Sequence, residues 1–433
     1  MGRPKKNSSP ASSYTPKKIQ GLEGVVDVIT ESDILWDLIV KRLYKVSRIY
    51  GFSRIEPNFL EDPRLYENFY RSAQDGMLSV ILPEGLDQRV ALRPSFLPSV
   101  LRSYYQHKIF ETAYMSKWAY TGWVDKKDNI TGKLLADYEF GFEILGNFNH
   151  LTEAQVIGGV WEFLLSLGLK DLSLEINNIG KAECQRVYQG SLADYLSGKK
   201  YELCDACNEH LGGRVLNVFR CNNLDCQAVL SEAPTVLDFL DPESHKHFTN
   251  ILEALDELGV PYQLNPFYAG PDGHSRTNLV IKCKTKSGSQ VLGEGGYHDD
   301  LMQNLCGKNY CCFGFSGSLL QIREALESGK VSVSKEQSSE VFLVPLGELA
   351  SKKSLRLFRD LTNQKIGVYD HFGNLGVKNQ LKQAETFKAS IALIMGQKEA
   401  MDEMVILRDV KSGMQEVISY DKIVEEVKKR LGK

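Results

Sequence analysis

The segment Glu327 to Glu340, ESGKVSVSKEQSSE, constrains the fold of this chain more than any other stretch. It is rich in Ser and Lys and poor in apolar residues, so it reads as a linker, narrowed to residues 331–338. The two sides of it carry different patterns. After it, VFLVPLG, SLRLFRDLTNQKIGVYD, VKNQLKQAETFKASIALIMG and EMVILRDVKSG alternate strand and helix in short steps. That order predicts a compact α/β domain over residues 339–433 with a mostly buried sheet. Before it, over residues 19–330, the order is looser. Ser32 to Phe52 repeats apolar residues at helical spacing and stops at a glycine. VALRPSF, HKIFETAYM and DYEFGFEIL are β-rich runs that suit antiparallel strands and flank the polar loop TGWVDKKDNITGK. HLTEAQVIGGVWEFLLSLGL predicts a helix capped by Thr152 and Glu153, and the strand LSLEINNIG follows. Next come a helix, a cysteine-bearing stretch, the helix PESHKHFTNILEALDELGV, and strands in TNLVIKCKTK and SQVLGEGGY. The fold class expected is therefore α+β, with a second α/β domain behind it.

At 433 residues the chain exceeds ordinary single-domain size. It has no uninterrupted apolar run long enough for a membrane span. Residues 1–18, basic and rich in Ser and Pro, lack the apolar stretch of a secretory signal and read as a flexible tail. A cytoplasmic location is expected. The net charge of −3 does not exclude a nucleic-acid partner, which needs a local basic face.

Nine cysteines in such a chain argue against a disulfide framework. Five are scattered and read as small buried hydrophobes. Cys204 and Cys207 form a C-x-x-C pair, and Cys221 and Cys226 follow after a short connector. Two readings stay open: two knuckles closing on one structural zinc, or four plain thiols, since the second pair is wider than C-x-x-C. Four thiolates leave a metal no open position, so neither reading is catalytic.

The order SLEINNIG, cysteine-bearing insert, LSEAPTVLDFLDPESHKHF, LDELGVPYQLNP and VFLVPLG…VKNQLKQAETFKASIALIMG…VILRDVKSG resembles bacterial histidyl-tRNA synthetase, a class II aminoacyl-tRNA synthetase. The resemblance runs from about Lys18 onward, in the family's order. It implies a class II antiparallel-sheet core with a helical Cys-bearing insertion over about 183–258, then a C-terminal anticodon-binding domain. It also implies a homodimer, tRNA(His) as partner, and ATP with Mg as cofactors where the chain is active.

Amino-acid activation needs rigid cations around a bent triphosphate, preferably bidentate guanidinium groups. In the family's F-R-x-E motif the matching stretch is YMSKWAY, with Lys117 at the arginine and Ala119 at the glutamate position. FYAGPDGH stands where the family has L-V-R-G-L-D-Y-Y, so Ala269 replaces its arginine; Gly270 and Asp272 remain and His274 takes a tyrosine position. The last motif, G-L-E-R in the family, reads FGFSGSLLQIREAL, with Gln321, or Leu320 under a one-residue shift, at the arginine position and Arg323 on a different helical face. R-P-E-G-T becomes RPSFL, keeping Arg93 and Pro94 with Ser95 for the glutamate. A-G-G-R-Y-D becomes EGGYHDD, keeping Gly295, Gly296 and Asp299. Glu143 stands at the position that holds the substrate ammonium in the family, and Glu139 at that of a glutamine.

By resemblance, then, Lys117 and Arg93 are the candidate catalytic groups, and Glu139, Glu143, Asp272, Gly295 and Gly296 the candidate substrate contacts. Lys378, Lys382 and Lys388 are either a solvated face or contacts to RNA phosphate. Losing one preorganised donor to a developing anion costs about 3–4 kcal/mol, so losing several arginines predicts a tRNA-binding homologue impaired in histidine activation. The alternatives are a working histidine-tRNA ligase with a rearranged site, and a regulatory partner of a histidine-biosynthesis enzyme.

Overall fold

The computed structural model describes residues 28, 34–67, 79–81, 89–127, 133–213, 215–271, 274–286, 288–308, 310–329, 340–370 and 376–432. The tail 1–18 and the linker 331–338 lie outside them. The chain divides into two compact units, Met1–Ser332 and Val333–Lys433.

The first unit is built on an eight-stranded sheet in the order Ser53–Arg54, Met115–Lys127, Leu134–Gly146, Cys312–Ser318, Gly288–Tyr297, Ser275–Thr285, Leu172–Asn178, Gln263–Leu264. The six long strands pair antiparallel, and the two-residue strand at each edge joins in parallel. Strong alternation separates the two faces. Phe140, Phe142 and Ile144 join Phe313 and Phe315 in a core completed by Val156, Val160 and Phe163 from the helix His150–Ser166 and Ile39 and Leu43 from the helix Ile34–Ile49. Tyr120, Leu145 and Cys312 meet the opposite layer, where Phe96, Val100, Leu101 and Tyr104 come from the helix Leu97–Gln106 and its lead-in. Between the strands Leu172–Asn178 and Gln263–Leu264 the segment Ala182–Glu257 is entirely helical in its regular elements, with its own small core around Leu192, Val218 and Cys226.

The second unit is a five-stranded sheet in the order Val368–Asp370, Val341–Pro345, Ile391–Met395, Met404–Asp409, Gln415–Ser419, flanked by helices. Its first three strands are parallel and the last two antiparallel. Val341–Pro345 and Ile391–Met395 are buried at every position, as parallel strands covered on both faces require.

Three local expectations differ from the structure. HKIFETAYM is not one strand: Lys108 adopts a left-handed backbone, Ile109–Thr112 forms a single helical turn, and the strand begins at Met115. The polar loop is shorter than expected, because its strand runs on to Lys127 and the return begins at Leu134. The helix His150–Ser166 is capped by neither Thr152 nor Glu153. Asn149 accepts the N–H groups of Leu151 and Thr152, while Glu153 is fully buried and accepts from the Tyr297 hydroxyl at 2.5 Å.

Phe163 is fully buried and packs edge-on against Phe140 at 5.3 Å. Phe163→Ala is expected to cost about 3–5 kcal/mol. In urea titration followed by signals from each unit, the first unit should unfold earlier and the second should be unmoved.

Candidate functional site

Residues directly opposite one another across an antiparallel ladder share a face, so register alone builds the floor of the site. One row runs Trp118, Glu143, Gly314, Gly296, Asn278, Asn177 across six strands. The next runs Tyr120, Gly141, Ser316, Glu294, Val280, Glu175, and beyond it Gly122, Glu139 and Ser318 align. Carboxylates and glycines thus converge on the face away from the main hydrophobic core.

The same register separates the expected site residues. Lys117 sits opposite Ile144, on the other face; its Nζ donates to Gln155 Oε1 at 3.2 Å and lies 4.9 Å above the Phe52 ring. Gly295 sits opposite Phe315, also on the other face, and a Cβ there would come 2.5 Å from the Gly314 carbonyl oxygen. Gly296, Glu139 and Glu143 are brought together on the site face. Asp272 lies outside the described residues. Gln321 turns to the start of the strand Gly288–Tyr297, accepting from Gln290 Nε2 at 2.6 Å. Ala269, half-buried, offers only a methyl group. In the second unit Lys378 and Lys382 lie one turn apart on the exposed side of the helix Val377–Thr386, with exposed Lys388 just past its end.

What covers the floor is the chain itself. The Tyr120 ring lies over Gly141 and stacks on Phe96 with centroids 4.7 Å apart. Phe96 in turn lies over Gly122, and the Glu143 carboxylate over Gly314. Asn278 and His274 close on Gly296. Two of these covering residues, Tyr120 and Phe96, were missed in the sequence, although RPSFL already puts Phe96 at the glycine of R-P-E-G-T.

Electrostatically the face is acidic. Glu143 is almost wholly buried; burial first, then the Glu139 charge, pushes its carboxyl well above the usual range, against the pull of the Tyr120 hydroxyl. Among the described residues its Oε2 has no hydrogen-bond partner, and it lies 3.6 Å from His298 Nε2. His298 is held neutral by burial and by neighbouring His274, and its Nδ1 has no partner among the described residues either. Glu139 accepts the Phe96 N–H at 2.9 Å and keeps some surface open, yet burial raises its carboxyl to about 7. Among the described residues, Arg93 and Lys282 already hold internal partners. Arg93, 5% exposed, donates to the carbonyls of Pro57, Asn58 and Trp123 at 3.1–3.3 Å and lies 3.4 Å over the Phe96 ring, so it clamps the segment 57–58 to the hairpin. Lys282 holds Glu175 at 2.6 Å.

A separate cluster lies in the helical segment. The sulfurs of Cys204, Cys207, Cys221 and Cys226 all lie within 4.8 Å of one another, with Cys204 and Cys221 at 3.8 Å. Tetrahedral thiolate ligation with bonds of about 2.3 Å sets sulfurs about 3.8 Å apart, so the four residues fit such an ion. The backbone N–H groups of Cys204 and Asn223 point at Cys226 and Cys221 sulfurs, at 3.2 and 3.4 Å, as thiolates need.

Known proteins bear on both units. A family model described as "Histidyl-tRNA synthetase" matches residues 24–322, and one described as "Anticodon binding domain" matches 324–430. The chain is similar to a histidine–tRNA ligase of Dehalococcoides mccartyi strain BAV1, 30% identical over 420 residues, covering 95% of this chain and 100% of that one. Among solved structures it is similar to apo Staphylococcus aureus histidyl-tRNA synthetase, with TM-score 0.78 and 24% identity over 95% of this chain and 100% of that one. An ATP phosphoribosyltransferase regulatory subunit/histidyl-tRNA synthetase from Bacillus halodurans is similar at TM-score 0.65 and 14% identity, over 88% and 99% of the two chains. The class II fold is therefore the fold of this chain.

The raised Glu139 carboxyl has a signed consequence. Between its ordinary value of 4.5 and about 7, the unfolded chain ionises while the folded chain keeps the proton, so stability is lost as pH rises through that window. Glu139→Gln removes this loss. Its melting temperature relative to the parent should increase from pH 5 to pH 8 by scanning calorimetry; a constant difference would mean that Glu139 is ordinarily ionised.

Proposed function

The chain belongs to the histidyl-tRNA synthetase family, and from that premise we propose that it is a tRNA-binding member impaired in ATP-dependent activation of histidine. The observation that carries this reading is the self-covered floor. A site that takes a nucleotide keeps its glycines open for close approach and aims unpaired cations inward. Here aromatic rings and carboxylates of the chain occupy the glycines, and Arg93 and Lys282 are spent on internal partners. The altered motifs at Ala269 and Gln321 point the same way.

The reading takes tRNA(His) as the RNA, held through the C-terminal domain with Lys378, Lys382 and Lys388 at phosphates. It includes a homodimer in the cytoplasm and a structural zinc on Cys204, Cys207, Cys221 and Cys226, supported by the spacing of their sulfurs. A second reading, a working histidine-tRNA ligase with a rearranged site, is favoured by end-to-end similarity to curated ligases. The regulatory reading draws on the fold likeness to the Bacillus halodurans protein, but it leaves the matched anticodon-type domain without a task.

Pyrophosphate exchange decides between the first two. With histidine and ATP, exchange should run at least ~10³-fold below that of a synthetase keeping the motif arginines. Exchange at comparable rates would establish the ligase. In filter binding, the double change Lys378→Ala and Lys382→Ala should weaken tRNA binding and lower its salt slope by about 2. An unchanged slope would assign these lysines to a solvated face.

A further inference from the structure

The four-thiol cluster opens on solvent, which an ion serving only as a staple does not require. Cys207 and Cys221, with Ala206, His210 and Asn217, line a cavity of ≈ 350 Å³. Burial divides the thiols into two pairs. Cys207 and Cys226 are buried, whereas Cys204 and Cys221 are only partly so, and these two sulfurs lie 3.8 Å apart. The surrounding elements are short: Asp205–His210, Val215–Arg220 and Leu224–Ser231 hold six to eight residues each, and isolated helices of that length are not stable in water. The local core contains the cysteines themselves, with Leu203, Val215, Val218 and Val229 around them.

We propose that Cys221, with Cys204 as its resolving partner, is an oxidation site through which a hydroperoxide reaches the metal–thiolate centre and releases the ion. The proposal rests on the zinc reading above. The Cys221 thiolate attacks the terminal peroxide oxygen, the O–O bond breaks, hydroxide leaves from hydrogen peroxide or alkoxide from an organic hydroperoxide, and a sulfenic acid forms on Sγ. The Cys204 thiolate then attacks that sulfur, the S–S bond forms and the sulfenic oxygen leaves as a second hydroxide. Two electrons pass from the two thiolates to the peroxide. The ion is left with two thiolates in place of four and departs, and a dithiol reductant with added zinc reverses both changes. The cavity gives the oxidant its path to the cluster at Cys207 and Cys221, and of these two only Cys221 is partly open, with partly open Cys204 3.8 Å from it, whereas Cys207 and Cys226 are buried.

The full-length protein, purified under reducing conditions, is assayed for zinc by mass spectrometry. It is then titrated with hydrogen peroxide while a chromogenic chelator reports released zinc and peptide mapping reports disulfides. Zinc should leave in step with a Cys204–Cys221 disulfide, before the single partly buried thiols Cys306 and Cys311 are modified. Ala206→Leu, which narrows the cavity without touching a sulfur, should retain zinc and release it several-fold more slowly. Zinc that stays bound while Cys306 and Cys311 oxidise, a Cys207–Cys226 disulfide, or equal release rates in the two proteins would each overturn the proposal. Protein that neither contains zinc nor takes it up would instead remove the zinc reading on which it stands.

Discussion

The pleat of the eight-stranded sheet governs everything that faces it. Side chains alternate across each strand, so one face is committed to aromatic and aliphatic packing under the helices Ile34–Ile49 and His150–Ser166, and only the other is available for chemistry. Lys117 and Gly295 differ by one residue from positions on the site face, and that single step removes them from it. Glycine means different things on the two sides. At Gly295 and Gly317 it lets strands and Phe140 or Phe315 approach closely, while at Gly141 and Gly314 it makes room for Tyr120 and Glu143.

The self-covered floor and the acidic field are two aspects of one arrangement. Phe96 and Tyr120 pack against these carboxylates, and burial is what drives the Glu139 and Glu143 carboxyls towards their neutral forms. A neutral carboxyl needs no counter-cation, which is consistent with Arg93 donating to backbone carbonyls instead.

Much of this was legible in the sequence. The α+β class and the strands around Glu143 followed from periodicity and motif order. What escaped was register. Matching YMSKWAY to F-R-x-E by residue type selects Lys117 because it is basic, whereas the pairing of Trp118 with Glu143 and Tyr120 with Gly141 depends on partners far along the chain. The helix at Ile109–Thr112 was hidden for a related reason: apolar content there suits a strand, and only the left-handed turn at Lys108 redirects it. The sulfur cluster was a different case: local spacing suggested it while leaving four plain thiols open, and folding brings all four sulfurs together.

The two-residue strands at either margin of the large sheet carry a consequence for life at high concentration. Unpaired backbone at a sheet margin is a template for joining another chain, and a broad sheet with long bare margins would polymerise. Here Ser53–Arg54 and Gln263–Leu264 cap the outer ladders with stubs too brief to recruit a full strand. Among the described residues, the margins of this sheet therefore offer little backbone for another chain to pair with.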